Sequence, residues 1–364
     1  MLTNSTSPTL PISQTAIIQD ENGNPKLADG VPLPALKAGT VMVKTVATAL
    51  NPSDYKMGAA FPTPGALVGM DFSGTIASIH PGTKTDLQVG DRVCGMVHGS
   101  NPGEPSNGAF AAYVRVRPEL LLRVPRALPM EEAATLGVGL MTNLLALWDP
   151  SALGLTATPE SPAAGPSASP VLVCGGSTAT GTLAVQLLRL SGLDPVVTCS
   201  PRNFDLVRAR GAGAAVDYVR ADVVEEVRRR SAGGRLRHAY DCIADPASVA
   251  LSYAALGRTG GRYVSLEMVP DELRTRRAVR AKVVLGYEGL GEDVPLSKGY
   301  GSSADPEKLA LAVKHFRVFQ GLLDKGMLKP HPIQKLEGGL PGVLKGLQLL
   351  KSGSVSGKKL VASL

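Results

Sequence analysis

The chain has 364 residues, 44% of them hydrophobic and 19% charged, so it can bury a sizeable core in about two domains, which excludes a disordered chain. Only 4% are aromatic, whereas 41 Gly and 28 Pro supply many tight turns; that balance fits an α/β enzyme better than a protein that stacks bases on aromatic rings. The net charge of +7 is spread along the sequence rather than gathered into a nucleic-acid-binding stripe.

At the N-terminus, MLTNSTSPTLPISQ lacks a basic region followed by an apolar core, and no later stretch approaches the roughly 20 apolar residues that cross a bilayer. A cytoplasmic protein with no membrane association is expected. From Gln14 to about Val124, β-type runs such as VMVKTVATAL and FSGTIASI alternate with the turn signals NPSD, PGT and VGDRV, predicting an all-β region. Pro129 to Trp148 reads as helical and could build a substrate wall. Residues 149–170 are rich in Pro, Ala and Ser and read as an exposed loop.

Strand and helix patterns then alternate from 171 to about 324, predicting βαβ units around a parallel sheet. The stretch from Met327 to Leu364 returns to turn-rich, β-like text. The expected fold is therefore α/β, with a β-rich substrate domain (1–148, completed by 325–364), a loop (149–170) and a doubly wound cofactor domain (171–324). A cleft between the domains is the expected active site.

Within the cofactor domain, the apolar run Val171 to Cys174 turns through Gly175, Gly176, Ser177, Thr178, Ala179, Thr180 and Gly181 into the helical run LAVQLLRL. Such a turn lets backbone N–H groups approach a pyrophosphate at a helix N-terminus, though Thr178 and Thr180 stand where glycines are commoner. A tight turn without ligand is the alternative, but the strand–loop–helix context and the βα repeats that follow favour dinucleotide binding. The second strand ends in Ser200, Pro201, Arg202 and Asn203 instead of the carboxylate that would bind a free ribose diol, so NADPH is expected over NADH. Ser200 could instead cap the next helix, Arg202 could be a surface arginine, and Tyr218 could either border the adenine or simply pack.

Cys94, Cys174, Cys199 and Cys242 form no CxxC pair and read as free, mostly buried thiols. The arginine clusters at 228–230 and at Arg274, Arg276, Arg277 and Arg280 read as solvated helix surface or as a contact for an acidic partner protein.

More specific are Asn51-Pro52-Ser53-Asp54-Tyr55-Lys56, Gly69-Met70-Asp71-Phe72-Ser73-Gly74, Val89-Gly90-Asp91-Arg92-Val93 and Gly108-Ala109-Phe110-Ala111. These resemble the quinone-oxidoreductase-like branch of the medium-chain dehydrogenases/reductases. Within it, GGSTATG, CSPRNFDL, DYVRAD, DCIAD, GGRYVSL and VSGKKLV are similar to the trans-acting, lovastatin enoyl reductase-like family of fungal polyketide biosynthesis. The resemblance covers nearly the whole chain.

It implies a GroES-like substrate domain joined to a Rossmann cofactor domain, in a monomer of secondary metabolism. It also implies hydride transfer from NADPH to the β-carbon of an enoyl thioester on a partner polyketide synthase or synthase–peptide synthetase hybrid. Position by position, Ser53, Asp54, Tyr55, Lys56, Ser177 to Thr180, Ser200 to Asn203, Tyr218, Ser265, Leu266, Val355 and Ser356 would line NADPH. Thr142, Asn143, Leu144, Leu145, Ala146, Leu147, Trp148 and Asp149, with Gly286, Tyr287, Glu288, Gly289 and Leu290, would border the polyketide chain. Gly181 departs from the family pattern, a change in helix packing that should leave binding intact.

No zinc is expected: Asn51 to Asp54 offer no thiol, no four-cysteine lobe is present, and His80 and His98 stand alone. Reduction of an enoyl thioester builds negative charge on the carbonyl oxygen, which calls for orientation and electrostatic help. Lys56 is the leading catalytic candidate, and Asn51 could donate to nicotinamide or substrate, although NPSD is also a good turn signal. A free-standing quinone or enone reductase, and a nucleotide-binding scaffold without turnover, are the competing readings.

Overall fold

The computed structural model describes residues 10–164, 169–231 and 235–364. Expectations for residues 1–9 and for 165–168 of the Pro/Ala/Ser-rich loop lie outside the described residues.

In chain order the first strands are β1 (Ser13–Gln19), β2 (Pro25–Pro32) and β3 (Val41–Ala49), followed by helix α1 (Pro52–Ala60). Next come β4 (Asp71–Ile79), β5 (Arg92–Met96), β6 (Tyr113–Val116) and β7 (Leu122–Arg123), then α2 (Met130–Ala133) and α3 (Gly137–Trp148). The alternating part runs β8 (Pro170–Cys174), α4 (Ala179–Leu190), β9 (Asp194–Thr198), α5 (Phe204–Ala209), β10 (Ala214–Val216) and α6 (Val223–Arg230). It continues with β11 (His238–Asp241), α7 (Pro246–Ala255), β12 (Gly261–Ser265) and β13 (Val279–Val283). Last are α8 (Pro306–Asp324), β14 (Ile333–Leu336), α9 (Gly339–Lys351) and β15 (Lys359–Ser363).

The chain divides into two compact units. The first comprises the chain up to Val138 with Tyr287–Lys325 and Pro330–Leu364; the second is Gly139–Gly286 with Gly326–Lys329. Residues 287–324, expected in the cofactor domain, thus belong to the first unit: the six-stranded sheet is complete at β13, and α8 packs beside β7.

In the first unit, seven strands form one sheet in the order β14-β15-β3-β4-β5-β7, with β6 paired to β3. β15 runs antiparallel to β3, Val361 opposite Ala49, and parallel to β14. In the second unit all six strands are parallel, in the order β10-β9-β8-β11-β12-β13. Such sheets are covered on both faces, which is why Val171, Leu172, Val173, Val196 and Val197 are all fully buried. The strand order reverses between β8 and β11, and in open α/β sheets ligands bind beyond the carboxyl ends of the strands at that switch.

Two helices stand where sequence reasoning expected turns or strands. The NPSD signal opens α1: Pro52 sits at a first-turn position that needs no N–H donor, and Asp54 accepts the Asn51 backbone N–H at 2.6 Å. In the expected β-like C-terminal stretch, Gly338 (φ +89°) and Pro341 start α9, and Leu340, Val343, Leu344, Leu347 and Leu350 supply a helical stripe that packs on Leu50 and Leu360. Its interior Gly346 leaves room for two leucine side chains, since a Cβ there would lie 2.5 Å from Leu336 and 2.7 Å from Leu50. The single helix expected over 129–148 is broken into α2 and α3.

Candidate functional site

In the second unit, β8 ends at a turn with little room for side chains. Gly175 has φ +71°, a Cβ on Gly176 would stand 2.1 Å from Val197, and one on Gly181 would stand 2.4 Å from the Gly175 carbonyl oxygen. Gly181 is therefore the close-packing point between helix and turn. Thr178, which departs from the usual glycine pattern, caps α4: its hydroxyl accepts the Gly181 N–H at 2.9 Å. Ser177, Ala179 and Thr180 are partly accessible around this turn.

Beside it, the end of β9 places Ser200, Asn203 and exposed Pro201 and Arg202. The Asn203 amide donates to the Ser177 hydroxyl at 3.2 Å, and the Ser200 and Tyr218 hydroxyls meet at 3.2 Å. Ser200 makes no side-chain cap to the next helix, and its hydroxyl meets that of Tyr218 instead. Tyr218 is 52% exposed rather than packed. A third segment follows β11: Asp241 accepts the N–H groups of Ile243 and Ala244 at 3.0 and 2.9 Å and the hydroxyls of Ser248 and Tyr263 at 2.7 and 2.9 Å. These bonds fix a bend in which Ala244 has φ +59° and Ile243, 44% exposed, lies against Gly175. Ser265 is buried and donates to the Glu267 carbonyl at 2.9 Å, with Leu266 half-buried beyond it.

Upstream, Thr142 to Asp149 are all buried, and Leu144 to Leu147 are completely inaccessible. Most of this stretch is core as packed, not an open wall. The Asn143 amide donates to the Thr180 carbonyl at 3.0 Å, while its Oδ1 is buried without a hydrogen-bond partner.

The first unit contains a buried polar cluster. Lys359 on β15 donates to Asp71 at 2.5 Å and to the Asn51 side-chain oxygen at 2.9 Å, while the Asn51 amide donates to Asp71 at 3.0 Å. Asp71 also accepts the Val138 N–H at 2.6 Å. Both polar ends of the Asn51 side chain are thus bonded within the protein, to Asp71 and Lys359, while its backbone N–H is held by Asp54 at the start of α1. Nearby Asp54 is buried; desolvation, with the adjacent Asp71 charge, pushes its carboxyl up to about 8, although its bond from the Asn51 N–H favours the ionised form.

Around this cluster, Ser53 and Tyr287 each donate a hydroxyl to the Met70 sulfur at 3.3 Å. His98, which stands alone in the sequence, is buried and stacked on Tyr287 with ring centroids 3.7 Å apart. Burial pulls its imidazole down to about 3, so it is neutral. Tyr55 is half-buried and Lys56 exposed on α1; Glu288 pairs with Lys308 at 3.1 Å; Gly289 and Leu290 are buried; Val355 is half-buried and Ser356 exposed.

Two family models match the chain: the alcohol dehydrogenase GroES-like domain over residues 37–126 and the zinc-binding dehydrogenase over 179–285. The trans-enoyl reductase TwmE of Talaromyces wortmannii is 50% identical, the alignment covering 98% of this chain and 99% of that one. The trans-enoyl reductase poxP of Penicillium oxalicum is 43% identical, over 97% of this chain and 93% of its own. The chain belongs to the trans-enoyl reductase family. The fold of this family member is also that of the solved quinone oxidoreductase from Coxiella burnetii, with a TM-score of 0.70 at 23% identity and coverage of 97% and 99%.

The protein is accordingly a medium-chain oxidoreductase that joins a GroES-like part to a Rossmann-type part, and its cofactor is a nicotinamide dinucleotide. The glycine turn suits that group, because its contacts leave backbone where side chains would stand. Zinc does not suit the residues present: among the described residues no group of three or more His, Cys, Asp or Glu could hold a metal ion, and Asp71 already faces the Lys359 ammonium. Cys94, Cys174 and Cys199 are buried and Cys242 partly so, all as free thiols. Among the described residues no helix is long and apolar enough to cross a membrane.

Sequence reasoning did not single out Asp71, Lys359, Met70 and Ile243 as site residues. Asp71 and Met70 stood inside GMDFSG and Ile243 inside DCIAD, so the motifs were visible while the individual roles were not.

Proposed function

We propose that this protein is an NADPH-dependent trans-acting enoyl reductase, which saturates the α,β double bond of a polyketide thioester carried by a partner synthase. The observation that carries the reading is 50% identity, over nearly the full length of both chains, to a protein named a trans-enoyl reductase. The choice of NADPH is supported by the segment after β9, in which residues 199–204 carry no carboxylate and Ser200 and Arg202 stand beside the Tyr218 hydroxyl.

When bound, the nicotinamide supplies the hydride. On the second unit, Gly175 to Thr180 receive the pyrophosphate, Ser200 to Asn203 with Tyr218 receive the adenosine phosphate, and Ser265 and Leu266 border the same coenzyme. On the first unit, Ser53 to Lys56 and Val355 with Ser356 are its remaining contacts, and Lys56 is the cation that assists the developing enolate. Tyr287, held by Met70 and His98, is one of the acyl-chain contacts in Gly286 to Leu290. The protein acts as a cytoplasmic monomer.

The test is NADPH oxidation by the purified protein with simple 2-enoyl thioesters, with quinones and without acceptor. Turnover with the thioesters alone is expected. Quinone turnover without thioester turnover would make the protein a free-standing quinone reductase, and no turnover alongside tight NADPH binding would make it a scaffold.

A further inference from the structure

On the second unit, a concavity of about 680 Å³ is lined by Arg228 and Arg229 at the end of α6, Leu256 and Arg258 after α7, and Arg276 before β13. Two of its guanidinium groups are held by backbone carbonyls. Arg276 donates to the carbonyls of Tyr253, Leu256 and Gly257 at 2.6, 2.9 and 2.6 Å, and Arg228 donates to that of Ala254 at 2.5 Å. These bonds satisfy the carbonyls that end α7 and fix two positive charges over an apolar floor of Ala254 and Leu256. Arg229 pairs with Glu226 on its own helix, and exposed Arg258 has no acidic partner among the described residues. The result is a cluster of four arginines: Arg228 and Arg276 are tied to the end of α7, Arg229 is paired on its own helix, and Arg258 is exposed beside them.

Its place in the unit narrows its use. Crossover helices run opposite to the strands they join, so the ends of α6 and α7 lie where strands begin: Gly257 N–H donates to Leu236 O at 2.8 Å, just before β11. The glycine turn, Ser200 and Ile243 all lie where strands finish. The arginine concavity therefore sits on the rim of this unit opposite its coenzyme cradle and is not a second face of it. Clustered guanidinium groups favour carboxylates, and the apolar floor suits a side chain between them.

We propose that this concavity docks an acidic, Asp- or Glu-bearing segment of the partner synthase, away from the coenzyme end of the unit. The proposal rests on the protein being a trans-acting reductase that needs a partner. It supplies a tether for the pair, distinct from the path of the thioester itself.

The test uses the full chain and the double variant Arg229→Glu/Arg258→Glu, both positions being exposed. Binding of a fluorescent decaglutamate peptide and of a short duplex DNA is measured at low and high salt, beside turnover with a free 2-enoyl thioester and with the synthase. The expected result is salt-sensitive peptide binding, weakened about tenfold in the variant, with synthase-coupled turnover falling likewise and free-thioester turnover unchanged. Equal peptide binding by the two proteins, DNA binding tighter than peptide binding, or coupled turnover unaffected by the substitutions would each overturn the docking site. Failure of the wild type to reduce any thioester would instead strike the enzymatic reading, while the peptide titration would still decide the docking.

Discussion

Ser200 and Tyr218, on neighbouring strand ends of the parallel sheet, bring their hydroxyls to 3.2 Å of each other. Arg202 stands exposed within the same segment as Ser200, and the proposed function assigns these three groups to the 2′-phosphate of NADPH. Arg202→Ala is expected to weaken NADPH binding by about tenfold or more, the loss of one charge-assisted bond, and to leave NADH binding nearly unchanged. Fluorescence titration with both coenzymes checks it; equal losses would remove Arg202 from phosphate recognition.

Gly181 touches the turn it follows. A methyl group there would stand 2.4 Å from the Gly175 oxygen and 2.7 Å from the Gly176 Cα, both rigid backbone atoms. Gly181→Ala is expected to cost roughly 2 kcal/mol of stability through overpacking and to weaken coenzyme binding at the same time. Urea unfolding and coenzyme titration measure the two effects, and a variant normal in both would show that α4 can move aside.

Asp54 makes stability depend on pH. Its carboxyl lies near 8 in the folded protein against an ordinary value of 3.8, so between these values the folded state holds a proton that the unfolded chain has released. Stability from this group therefore falls as pH rises through that window and levels off above about pH 8. Asp54→Asn keeps an oxygen for the Asn51 N–H and carries no charge, so its advantage over the wild type should grow from about pH 4 to about pH 8. Unfolding midpoints across that range check the trend; a constant difference would contradict it.

Lys359 is the cation for a carboxylate with no access to water, Asp71. Lys359→Met should destabilise the protein by about 3–5 kcal/mol, because it leaves that charge buried and unpaired. Adding Asp71→Asn should restore part of the loss, and chemical denaturation of the single and double variants reads the coupling.

Lys56 lies exposed on α1, outside the apolar core. Lys56→Ala is expected to lower turnover about tenfold or more with an unchanged melting temperature. A wild-type rate and coenzyme affinity would exclude it from the chemistry.

The parallel unit was readable from the sequence because each buried strand is a short apolar run set off by helical text, as in Val171 to Cys174 before LAVQLLRL. Helix α9 was not, since its glycines and Pro341 imitate turns; only the packed structure shows that Gly346 makes room for Leu50. The glycine turn likewise announced itself locally. The pairing of Asp71 with Lys359 spans 288 residues and leaves no local mark, so the commitment of Asn51 to that pair was beyond the reach of pattern alone.

The position of β15 between β3 and β14 sets an order for synthesis. Residues 359–363 leave the ribosome after every strand of the parallel sheet, so that sheet can close while the earlier β-rich unit still waits with Ala47, Thr48 and Ala49 of β3 lacking their β15 partners and Asp71 without its cation. The nascent protein thus exposes a pairing-competent edge for much of its translation, which makes the last step of assembly the one most in need of protection from aggregation.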